Sequence, residues 1–212
     1  MASSAANAVE VIINHANITG GAAIYTSADG KMTLTPFAAG GGAGTFGATS
    51  GCCIGVHGGA NNGAIGDADG SPITVNDREW IDVTLAGDAA LAEIGFIFTR
   101  ANGPLPTDGI VISGFASDPL ASLDPAAAAG VTASFDSGML YVNHGWRGGA
   151  VSMVSFANSA ASLGQTLSIE ANDSDEPAPQ VVINTLSYTV VPEPASLVLA
   201  GVAAALLIKR RK

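Results

Sequence analysis

The sequence predicts a mostly β protein: an antiparallel, jelly-roll-like sandwich followed by a single C-terminal transmembrane helix. Three observations lead there. Nearly every apolar stretch is short and bounded by Gly, Asn, Asp or Pro, the residues that end strands and make turns. Several stretches alternate apolar and polar residues, the period of a strand with one buried face. The last apolar run is different in kind, uncharged and closed by four basic residues.

The strands are expected in the following order. Residues 9–13 are β-branched or acidic, and 32–35 form a brief second stretch. Residues 54–57 follow a Gly-rich segment. Residues 79–85 alternate, with Ile81, Val83 and Leu85 on one face and Trp80, Asp82 and Thr84 on the other. In 94–99, Phe96 and Phe98 share a face with Ile94. The stretches 110–115, 131–135, 139–142 and 151–156 continue the pattern, 166–170 alternate again, and 180–191 are the longest strand-like run. Short helices are expected only at 125–129 and 158–163. Long loops are expected at 38–51, rich in Gly, Ala and Thr, and at 58–72, rich in Gly, Asn and Asp. No βαβ rhythm and no repeat of fixed period appears.

The chain has 212 residues, with 27 glycines and 12% charged residues. That length suits one domain with an adequate core, and the hydrophobic content argues against long disorder. Acidity is concentrated before Pro192: 17 acids against 4 bases, a formal charge of −13. Such a body repels nucleic acid and anionic headgroups, and no nucleic-acid partner is expected. The two cysteines are adjacent, Cys52 and Cys53. They read either as a vicinal disulfide of an oxidising compartment or as two small apolar residues on opposite faces of a strand.

The C-terminal 22 residues read VPEPASLVLAGVAAALLIKRRK. Pro192 and Pro194 fix φ and push their neighbours toward extended backbone, giving a short stiff stem with Glu193 as its one charge. A helix then starts near Ala195 and runs through Leu197, Val198, Leu199, Val202, Leu206, Leu207 and Ile208. Its 14 positions span about 21 Å, short against a hydrocarbon core of about 30 Å. Lys209, Arg210, Arg211 and Lys212 nevertheless favour an anionic cytoplasmic leaflet and place the body outside the cytoplasm.

This order resembles the PEP-CTERM sorting signal of bacterial proteins. The resemblance implies export and transient anchoring in the inner membrane. It further implies recognition of Pro192, Glu193 and Pro194 by an exosortase-type membrane enzyme, then passage to the cell surface or extracellular space. It also implies association with exopolysaccharide or biofilm; with no catalytic motif in the body, a structural or adhesive, non-enzymatic role is expected. More loosely, residues 50–191 are similar to the β-sandwich ectodomains common in that family. Ala6-Asn7-Ala8 fits a signal-peptide cleavage pattern, so residues 1–8 read as a signal-peptide end, 9–190 as the ectodomain and 191–212 as the sorting tail.

Candidate sites are few. Trp80, Tyr141 and Trp146 could stack on sugars, which makes a glycan-binding module the first rival reading. A secreted hydrolase is the second; it would need carboxylates such as Glu79, Asp82 and Glu93 brought about 5–9.5 Å apart. Asp67 and Asp69 are weak calcium candidates, lacking the later ligands of an EF-hand, and 172–176 form another acidic loop. No other cofactor is expected. Residues 42–47 spell GxGxxG but are followed by Ala48-Thr49-Ser50-Gly51, which will not hold a helix; a flexible loop is expected there. His15, His57 and His144 have no zinc-site spacing.

Overall fold

The structure is a computed structural model. It describes residues 9–49, 53–57, 65–66, 79–100, 109–123, 131–143, 151–156, 160–172 and 180–190. Among them the chain forms fourteen strands: β1 (Val9–Asn14), β2 (Tyr25–Thr26), β3 (Met32–Phe37), β4 (Thr45–Thr49), β5 (Cys53–His57), β6 (Ile65–Gly66), β7 (Trp80–Leu85), β8 (Ala89–Arg100), β9 (Gly109–Ser113), β10 (Thr132–Asp136), β11 (Met139–Asn143), β12 (Ser152–Ser155), β13 (Thr166–Asn172) and β14 (Gln180–Val190).

Two antiparallel sheets pack as a sandwich. The first runs β12-β8-β14-β5-β4, with β1 and β6 also paired to β14; the second runs β10-β11-β9-β13-β7-β3-β2. Their facing side chains form one core. Met32, Leu34, Ile81, Val83, Ile110, Ile112, Leu140, Val142, Leu167 and Ile169 of the second sheet meet Ile13, Phe46, Ile54, Val56, Leu91, Ile94, Phe96, Ile183, Leu186 and Tyr188 of the first. Each fully buried aliphatic or aromatic side chain contributes about 1.5–3 kcal/mol.

β14 organises the first sheet. One edge pairs with β8 along its whole length. The other edge is divided end to end among β1 at 185–190, β5 at Ile183, and β6 at 180–181. Register shifts interrupt the β14–β8 pairing at three points, leaving Asn184 on β14 and Ala92 and Thr99 on β8 as extra residues. These bulges turn Ile183, Leu186 and Tyr188 all inward, a spacing that strict alternation would not allow.

The two sheets are also clasped by polar groups. The Tyr188 hydroxyl leaves β14 and donates to Asp29 Oδ1 at 2.6 Å, in the turn joining β2 to β3 of the opposite sheet. Ser27 Oγ donates to the same oxygen at 2.7 Å, as does the Lys31 amide at 3.1 Å. Lys31 Nζ then bridges both oxygens of Asp88, at 2.8 and 2.6 Å, in the turn from β7 to β8. Burial pushes the Asp29 carboxyl up, but these hydrogen bonds outweigh it and hold the group below the ordinary carboxylate value. Burial, and then the bond to Asp29, push the Tyr188 hydroxyl up to about 12.

Several expectations are corrected. Residues 38–51 are not one loop: they hold a 3-10 turn at Ala39–Gly41 and strand β4. The second half of the GxGxxG stretch, 45–47, is therefore strand and not flexible loop, and its Phe46 is buried in the core. Gly44 is packed so closely that a Cβ there would lie 3.0 Å from Val56 Cγ1. The expected helix at 158–163 is a single 3-10 turn, Ala160–Ser162. β8 begins earlier than 94, at Ala89. Cys53 is disulfide-bonded in a chain that has two cysteines, so the apolar-pair reading gives way. Cys53 is also buried beside Val182 and Ile97. No helix among the described residues is long and apolar enough to cross a membrane. The expected helix at 125–129, most of the 58–72 loop, residues 1–8 and the whole tail from 191 lie outside the described residues.

Two predictions follow from this architecture. The β10–β11 hairpin turns on Ser137 and Gly138, both at positive φ (52° and 84°), as in a type I′ turn. Ser137→Val should destabilise by about 1–2 kcal/mol in denaturant unfolding, while Ser137→Asn should not. The clasp predicts two pH limbs. Asp29 is held low in the folded form, so its contribution is complete above the ordinary carboxylate range and is lost as pH falls through the folded value. Tyr188 is held high, so its contribution is complete below pH 10 and lost as pH rises toward about 12. Tyr188→Phe should lower stability by about 1 kcal/mol near neutrality and flatten both limbs in pH-dependent thermal unfolding.

Candidate functional site

The outward positions of the second sheet form the candidate site, because they concentrate stacking and hydrogen-bonding groups in register. On β7, Ile81, Val83 and Leu85 are buried, which turns Trp80, Asp82 and Thr84 outward. The same alternation turns Thr33, Thr35 and Phe37 outward on β3, and Thr166, Ser168, Glu170 and Asn172 outward on β13. On β11 it turns out Met139, Tyr141 and Asn143.

Strand pairing arranges these residues in cross-strand rows. One row reads Phe37, Trp80, Glu170, Val111, Tyr141, Ser134. The Phe37 and Trp80 rings are stacked, with centroids 4.8 Å apart and planes 11° apart. Phe37 on β3 thus covers one face of the indole. The 39–41 turn adjoins the indole edge, since a Cβ on Gly41 would lie 3.5 Å from Trp80 Cη2. Trp80 and Tyr141 stand three strand spacings apart, about 14 Å. Val111, between them, is buried and apolar.

Polar rows flank the aromatic one. On one side Ser168 Oγ donates to Asp82 Oδ1 at 2.6 Å. On the other, Asn172 Nδ2 donates to Asn143 Oδ1 at 2.9 Å, across the intervening Gly109. Beyond the Asp82 row lies a threonine ladder, with the Oγ1 atoms of Thr26 and Thr33 3.3 Å apart and those of Thr84 and Thr166 3.1 Å apart. Thr33 and Thr84 are cross-strand partners, so four adjacent strands carry threonine in one row. Among the described outward residues of this face there are carboxylates but no Lys, Arg or His.

The structure therefore brings together Trp80 and Tyr141, two of the three candidate aromatics; Trp146 lies outside the described residues. Sequence reasoning missed Phe37, Glu170 and the Asn143–Asn172 pair. Phe37 was detectable as the next outward position of β3 after Thr33 and Thr35. Of the candidate carboxylates, Glu79 is buried at the start of β7. Asp82 faces out from the second sheet, whereas Glu93, which accepts from Ser155 Oγ at 3.0 Å, belongs to the first. They do not converge. Asp67, Asp69 and 173–176 lie outside the described residues, among which no group of three or more His, Cys, Asp and Glu could hold a metal ion.

Comparison with protein-family models, with curated proteins and with solved structures returns no match. The functional argument therefore rests on the residues of this chain.

Gly109 keeps the site's polar end in shape. A Cβ there would collide with the Val142 carbonyl oxygen, so Gly109→Ala must push β9 away from β11. Loss of about 1–3 kcal/mol is expected in denaturant unfolding. The Asn143 and Asn172 side-chain amide resonances should shift with it.

Proposed function

We propose that this chain is an exported bacterial protein, sorted by its C-terminal tail to the cell surface or extracellular matrix. Its role there is structural and adhesive rather than enzymatic, linked to exopolysaccharide or biofilm. The body, 9–190, is a jelly-roll-like sandwich, and the segment from Ala195 to Ile208 is its membrane helix. An exosortase-type enzyme recognises Pro192-Glu193-Pro194.

The observation that carries this reading is the order of parts at the C-terminus. β14 is paired on both edges through Val190, and after Val191 come the proline stem, the apolar run and the basic end. A paired strand cannot enter a protease cleft, whereas a two-proline stem can, so recognition and fold meet at a sharp boundary. A disulfide-bonded Cys53 fits an oxidising compartment. The jelly-roll assignment is supported by the repeated alternation between sheets, from β7 to β8 to β9 and from β12 to β13 to β14.

Mass spectrometry of the protein from its native host tests the reading. The mature form is expected to lack Lys209–Lys212, and Pro192→Ala with Pro194→Ala should leave the full-length chain in the inner membrane. Recovery of an intact chain from the cytosol, basic end included, would overturn it.

A further inference from the structure

We propose that the outward face of the second sheet binds a neutral polysaccharide chain, spanning from Trp80 to Tyr141. It rests on the extracellular reading only for where the polymer is met.

The ligand class follows from the chemistry of the face. A sugar ring presents C–H groups on its faces and hydroxyls at its rim. An aromatic ring beside hydrogen-bonding groups satisfies both. Phe37 backs the indole of Trp80 at 4.8 Å, so the stacking surface is held in place before any ligand arrives. This lowers the ordering cost of binding. The second stacking group, Tyr141, is about 14 Å away, too far for one sugar ring to touch both. A run of linked sugars is long enough to reach both, passing over the half-buried Glu170 while Val111 lies buried beneath the path. The Asp82–Ser168 and Asn143–Asn172 pairs border that path on either side, already oriented by their own hydrogen bonds; carboxylate, hydroxyl and amide are the group types that hydrogen-bond sugar hydroxyls.

Charge selects among polymers. The body carries −13 formally, and this face offers Asp82, Asp136 and Glu170 with no cation among its described outward residues. A uronate or phosphate polymer would be repelled. The rows of threonine, serine and asparagine also lack the continuous apolar groove that an amphipathic peptide helix would need.

Affinity electrophoresis of the full chain in mild detergent tests the proposal. The gels would contain glucomannan, hydroxyethyl cellulose or dextran, with alginate and chitosan as the charged polymers. Retardation by at least one neutral polysaccharide is expected, weakened about tenfold by Trp80→Ala and by Tyr141→Ala and less by Trp80→Phe. Tyr141→Ala and Trp80→Phe keep the test valid should Trp80→Ala fail to fold, which thermal unfolding would reveal. No retardation by any neutral polymer, retardation by the charged polymers alone, or equal retardation of Tyr141→Ala, Trp80→Phe and the native chain would overturn the proposal. Because binding is read on the unprocessed chain, its failure leaves the sorting reading standing, and an unprocessed tail in the host leaves the binding result standing.

Discussion

The rest of the structure depends on β14 being paired on both edges at once. β8 occupies one edge from end to end, and three short strands share the other. A strand so placed has no free backbone donor row to offer water, and burying it requires every partner to be present. Strands β1, β5 and β6 all lie far from β14 in sequence and join one sheet along its edge, β5 being also paired with β4 along its whole length. The Tyr188 clasp extends that dependence to the other sheet. Asp29 is held by a residue 159 positions away, and Lys31 passes the connection to Asp88 at the β7–β8 turn. One central strand thereby sets the register of the first sheet and ties the edge of the second.

Such non-local dependence explains which elements were legible beforehand. β7 and β13 lie inside the second sheet with one face in the core and one outside. Their sequences alternate cleanly, and the inward sets Ile81, Val83, Leu85 and Leu167, Ile169 follow from the residues alone. β8 did not reveal its first half because 89–93 is alanine-rich and because the bulge at Ala92 breaks the period between Leu91 and Ile94. β4 hid behind its composition: Thr45-Phe46-Gly47-Ala48-Thr49 reads as loop until β5 is laid beside it. In both places tertiary pairing overrides a weak local signal.

The site was legible in part, for a related reason. Alternation alone turns Trp80 outward, and Tyr141 follows from the buried Leu140 and Val142. What alternation cannot supply is which strands are neighbours. Phe37 and Trp80 are 43 positions apart, and Asn143 and Asn172 29 apart; each pair becomes a unit only through register. Gly109 is the clearest instance. In sequence it looks like punctuation before a strand, yet it is the residue over which two amides meet and a point where no Cβ fits between β9 and β11.

The same register fixes how the face sits relative to Val190, the end of β14. Val190, the last residue of β14, pairs with Ala89, and Ala89 follows Leu85 through the β7–β8 turn. Counting back along β7 from that end, Thr84 comes first, then Asp82, then Trp80. The aromatic row therefore lies roughly 15 Å along the strands from Val190, with the Asn143–Asn172 row further still. On the tail-sorted reading that end is the one nearest the bilayer, so the stacking groups are carried clear of the headgroups while the chain is still anchored. On the same reading polymer contact would require no prior release, and processing at Pro192-Glu193-Pro194 would change where the protein is held without altering the face that it presents.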